Sequence, residues 1–79
     1  MLFKEATSKR ILDLCKEHNL TPNSLAEKTT IPPSTLYDII YCKVENPSSF
    51  VIFQICKIFK ITISEFYSDK LFDFKNIKD

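Results

Sequence analysis

Two adjacent prolines, Pro32 and Pro33, divide the most regular part of this 79-residue chain. Neither can lie inside a helix, because proline lacks the backbone donor and its ring clashes with the preceding turn. Pro33 nevertheless suits the first turn of a new helix. The surrounding segment, residues 25–43, reads LAEKTTIPPSTLYDIIYCK. Upstream, Thr21 is placed as an N-cap with Pro22 at the first helical position. A short helix then runs through Leu25 and Ala26 to about Thr29. Downstream, Leu36, Ile39 and Ile40 form the buried stripe of a second helix that ends near Tyr41 and Cys42. Ile31 turns inward between the two. The pattern predicts a helix, a tight turn and a helix, and Ala26 is small enough to let the pair approach closely.

The flanks read the same way. Ile11, Leu14 and Cys15 fall at i, i+3 and i+4 within Ala6 to His18, with Lys9, Arg10, Lys16 and Glu17 outward. That is an amphipathic helix. Ser48 or Ser49 caps a fourth helix carrying Val51, Ile52, Ile55, Cys56 and Phe59. Thr62 or Ser64 opens a fifth with Phe66 and Tyr67. The expected architecture is an all-α, five-helix domain over residues 1–68, followed by a tail, 69–79. In that tail Leu71, Phe72, Phe74 and Ile77 fit neither a helical nor a strand period. Its aromatic residues could make it a dimerisation arm. There is no glycine, so left-handed positions must fall to residues such as Asn19, which tolerates positive φ better than most.

Composition narrows the function classes. With 44% apolar residues the chain can build a core and lies outside the disordered range. A net charge of +1 gives no overall pull toward nucleic acid or anionic lipid, so any such partner must meet a local patch. The apolar runs are too short for a membrane span, and the N-terminus lacks the apolar block of a signal peptide. The expected location is the cytoplasm. Cys15, Cys42 and Cys56 form no CxxC pair and His18 is the only histidine, so no zinc site of ordinary spacing is expected. Cys15 and Cys56 read as reduced core residues. No nucleophile–base pair or carboxylate pair follows from spacing. The expectation is no catalysis, no cofactor and no metal.

The segments RILDLCKEHNLTPNSLAEKTTIPPSTLYDIIYCK, NPSS and KIFKITISEFY together resemble the helix-turn-helix domains of phage repressor and Cro type. The resemblance covers roughly residues 9–68. It rests on a Leu-Ala-Glu-Lys string opening the bihelical unit, an Asn-Pro before helix four and an Ile-Ser-Glu-Phe string in helix five. It implies a compact lambda-repressor-like DNA-binding fold, with helices two and three as the helix-turn-helix. Departures from the family pattern carry their own expectations. Thr30 stands where many members have a turn glycine, which implies a strained turn or one of another type. Pro22 replaces a phosphate-contacting glutamine, leaving Thr21 and Asn23 as the nearby polar groups. Cys42 stands where glycine commonly ends the recognition helix. Cys15 and Ile40 match the positions of a common Arg–Glu ion pair, and the joint change to apolar residues is one that packing tolerates.

The resemblance implies that helix three, residues 33–41, enters the major groove of double-stranded DNA. Its outer face offers Pro33, Ser34, Thr35, Tyr37, Asp38 and Tyr41. Ser34 and Thr35, at the positive end of the helix, can donate to phosphate or base edges. Tyr37 can stack on sugar or touch a thymine methyl. Asp38 could accept from cytosine N4, though a solvated surface charge is the simpler reading. Tyr41 either faces DNA or covers the core edge, and Asn23 either supports helix two or meets phosphate. Lys43 is either a phosphate contact or an idle loop lysine. Residues 21–48 contain Lys28 and Lys43 against Glu27, Asp38 and Glu45, a local net of 2 − 3 = −1. Affinity then needs help from Lys9, Arg10 and Lys16 or from a second copy of the surface. The leading expectation is a homodimeric, sequence-specific transcriptional regulator, more often a repressor. The alternative is a protein-interaction or antitoxin-like module with little DNA affinity.

Overall fold

The computed structural model describes residues 1–79. Its order is α1 (Phe3–Glu17), α2 (Pro22–Lys28), α3 (Pro33–Ile40), α4 (Ser49–Phe59), α5 (Ile63–Tyr67) and a 3-10 turn, Lys70–Phe72. The architecture is the expected all-α, five-helix one. Local signals account for most of these boundaries. The Thr21 and Ser48 hydroxyls accept from the Ser24 and Val51 N–H groups. Thr62 and Glu65 form a reciprocal capping box that starts α5, which satisfies two otherwise orphan donors.

With no glycine in the chain, three helices still end on left-handed residues: Asn19 (φ 55°), Cys42 (φ 62°) and Lys60 (φ 58°). After each, a backbone N–H reaches a carbonyl five residues back. Leu20 donates to Cys15 at 2.8 Å, Lys43 to Asp38 at 2.8 Å and Ile61 to Cys56 at 3.1 Å. This closure satisfies end carbonyls and turns Leu20 and Ile61 onto the core. A side chain in this region costs about 1 kcal/mol. Lys60 is exposed, so Lys60→Gly is expected to raise stability by about 0.5–1 kcal/mol, read as a higher midpoint in urea. A lowered midpoint would mean that φ at residue 60 is negative in solution.

The core gathers Ile11, Leu14 and Cys15 of α1, Leu25 and Ala26 of α2, Ile31, Leu36 and Ile39, then Ile52, Ile55, Cys56, Phe59 and Phe66. Burial pushes the Cys15 and Cys56 thiols above their ordinary range, which keeps both protonated and unreactive near neutral pH. Ile40 packs half-buried against the same core.

Three features of the framework go beyond the sequence reading. First, α1 begins at Phe3 rather than Ala6. The Leu2 N–H donates to Glu5 Oε1 at 2.7 Å and the Phe3 N–H to Asp79 Oδ1 at 2.9 Å. Second, the tail returns to the N-terminus: the Met1 ammonium donates to the Asn76 carbonyl and the Lys78 N–H to the Met1 carbonyl. Phe72 joins Phe3, Phe66 and Tyr67 in an aromatic cluster with ring separations of 4.9–6.2 Å. Phe74 stays 83% exposed. Third, Arg10 is no surface cation. Its Nε donates to the Phe66 carbonyl at 2.9 Å and its Nη2 to the Glu65 carbonyl at 3.1 Å, and Nη1 lies 3.5 Å from Asp69. It holds the C-terminal end of α5, where unpaired carbonyls favour a cation.

Candidate nucleic-acid interface

The turn between α2 and α3 is built without a left-handed residue. Thr29 is extended (φ −107°, ψ 172°). Its hydroxyl donates to the Ala26 carbonyl at 3.0 Å and accepts from the Ile31 N–H at 3.2 Å. The turn is therefore of a different type from the glycine form, and strain at Thr30 is absent. With Ile31 and Leu25 buried below, the two short helices are locked as one unit.

The recognition-helix position is fixed from behind as well. Ser8, buried in α1, donates its hydroxyl to the Ile40 carbonyl at the end of α3. Lys4 pairs with Glu45 in the following loop, Nζ to Oε1 2.8 Å. The hydrogen bond to Glu45, with its charge, holds the Lys4 ammonium above its ordinary pKa. Cys42 lies half-buried nearby, its thiol 3.8 Å from the Lys4 carbonyl. Sequence reasoning missed Ser8 and Lys4, whose partners lie 32 and 41 residues away.

On the outer side, Pro33 and Ser34 are exposed and Thr35 is half-buried. The first helical carbonyl bonds fall to Thr35 and Leu36, both donating to Pro32. Proline supplies no N–H at position 33, so the Ser34 N–H and the two hydroxyls are the donors that this helix end can offer outward. Tyr37, one turn on, donates its hydroxyl to Asn23 Oδ1 at 2.7 Å, a bond that ties α3 to α2. Its ring stacks on Tyr41, with centroids 5.9 Å apart and planes at 20°. Tyr41 is 66% exposed, so it stands out from the core edge. Asp38 is half-buried, and Lys43 is exposed just beyond the helix. The Thr21 hydroxyl donates to Ser24 Oγ and accepts from the Ser24 N–H, both at 3.1 Å.

Ion pairing alters the local charge. Glu45 is neutralised by Lys4, so adding Lys4 to the earlier set gives 3 − 3 = 0. Of the three flanking cations, Arg10 is consumed by α5 and Lys9 lies 3.5 Å from Asp13. The expectation that Arg10 would supplement the interface is therefore overturned: its side chain is only 13% exposed. Lys16 remains exposed. No group of His, Cys, Asp and Glu is arranged to hold a metal ion. No helix is long and apolar enough to cross a membrane.

The bihelical unit, its buried wedge and the outward helix end agree with a comparison to known families. Residues 10–70 match the Cro/C1-type HTH DNA-binding domain. No curated protein and no solved structure matches the chain. The match spans more than half of the chain and includes every element of the bihelical unit. The chain thus belongs to the Cro/C1-type helix-turn-helix family of DNA-binding transcriptional regulators.

Proposed function

We propose that this protein is a sequence-specific transcriptional repressor in the cytoplasm, binding double-stranded DNA as a homodimer through residues 33–41. The observation that carries this reading is the exposed N-terminal turn of α3, where Ser34 and Thr35 present donors at the positive helix end. Thr21, Asn23 and Lys43 flank that turn and Pro33, Tyr37, Asp38 and Tyr41 extend it. In a dimer the two α3 helices enter successive major grooves about 34 Å apart. Exposed Phe50 (65%) and Phe53 on α4, with Phe74 in the tail, are the apolar surface from which a seam between copies could be made. Repression then follows from steric exclusion at the operator.

The near-neutral face also favours a second reading, a module whose tyrosines meet a protein. Selection of bound sequences from a random duplex pool at near-physiological salt separates the two. A DNA reader enriches a motif with two-fold symmetry. With Lys28 and Lys43 from each protomer as phosphate contacts, log K should fall against log salt with a slope of about −4 or shallower. No enrichment by the folded protein would select the interaction module.

A further inference from the structure

Resting on the reading of α3 as the DNA-facing helix, we propose that its aromatic stripe, Tyr37 and Tyr41, reads thymine methyl groups. The operator half-site is then a thymine-bearing sequence recognised by apolar contact, not by bidentate hydrogen bonding. Guanine is ordinarily read by Arg or Lys and adenine by Asn or Gln. Residues 33–41, PSTLYDIIY, contain none of these four. The nearest carboxamide, Asn23, already has its oxygen engaged by Tyr37. Tyr37 in turn has its hydroxyl committed to Asn23, which leaves its ring as the part available outward.

Pro33, Tyr37 and Tyr41 recur at i, i+4 and i+8 and therefore share one face. The stripe runs about 12 Å along the helix, a span of three to four base-pair steps at about 3.4 Å each. Tyr37 is held at its tip by Asn23, and Tyr41 is stacked on it. The pair is a preorganised apolar ridge that gives up little rotamer freedom on binding. In the major groove the group that rewards such a surface is the C5-methyl of thymine.

The test uses the full chain and the duplex it selects. Each thymine is replaced in turn by uracil, which removes the methyl and keeps every hydrogen-bonding group. At the thymines facing the ridge, affinity is expected to fall about fourfold per methyl lost. Tyr41→Ala changes an exposed residue, so the fold should persist, which circular dichroism checks. In that variant the thymine-to-uracil ratio at one position should fall to about one while the position facing Tyr37 keeps its preference. A selected motif without thymines, or one whose thymines all tolerate uracil, overturns methyl reading while leaving the DNA reader intact. Unchanged discrimination in Tyr41→Ala removes Tyr41 from the readout. No enriched motif at all overturns the interface reading beneath it.

Discussion

Ser34→Glu is expected to abolish specific DNA binding while leaving the domain folded. Ser34 is exposed in the first turn of α3, where a carboxylate favours the helix by about 0.3–1 kcal/mol. Stability should therefore hold or rise slightly. At the DNA surface the same carboxylate meets phosphate and base oxygens. Two like charges about 4 Å apart interact by about 4 kcal/mol at the effective dielectric of a protein surface, which corresponds to about a thousandfold in affinity. Ser34→Ala, which only removes a donor, should cost tenfold or less at about 1 kcal/mol. Fluorescence anisotropy on the selected duplex, paired with a thermal melt, measures both effects. Undiminished affinity in Ser34→Glu would remove this face from the interface.

Phe66→Ala is expected to bring the domain close to unfolding. Phe66 is fully buried, with Tyr67 at 4.9 Å and Phe72 at 5.9 Å between ring centroids. The Arg10 guanidinium sits 5.7 Å from its centroid and bonds to its carbonyl. Removing such a ring costs about 3–5 kcal/mol through lost burial and the cavity left behind. A chain of this length has a total stability of about 4–12 kcal/mol. The thermal midpoint should fall by at least about 15 °C. A drop of only a few degrees would mean that α5 and the 3-10 turn are not docked on α1 in solution. Cys56→Ala, which removes a smaller buried side chain from α4, should lie well inside that range and serves as the comparison.

The contrast between these two positions reflects how each became visible. Ser34 follows from the residues around it: a proline pair starts the helix, and the Leu36 and Ile39 stripe leaves the opposite side outward. Nothing distant is needed. Phe66 is legible as a helical apolar residue, but its importance comes from Arg10 and Phe72, which arrive from both ends of the chain. The same distinction covers Arg10. An outward basic residue in an amphipathic helix reads as a surface cation, yet its partners are carbonyls 55 and 56 residues away. The tail was opaque for a related reason: Phe72 packs from a 3-10 turn, a geometry that leaves no helical or strand period behind it.

Local chemistry in the sequence determined the helices, their caps and the bihelical unit, because those features depend on groups within four or five residues of one another. Asn19 as a left-handed end, Thr21 with Pro22 at the start of α2 and the apolar stripe of α3 all belong to that short range. Tertiary structure alone decided which charges remain free and how the recognition helix is held. Arg10 leaves the surface to hold α5, Lys4 neutralises Glu45, Ser8 secures the Ile40 carbonyl, and Asn23 takes the Tyr37 hydroxyl. Each of these pairs joins residues at least 14 positions apart, and their geometry exists only once the helices have packed.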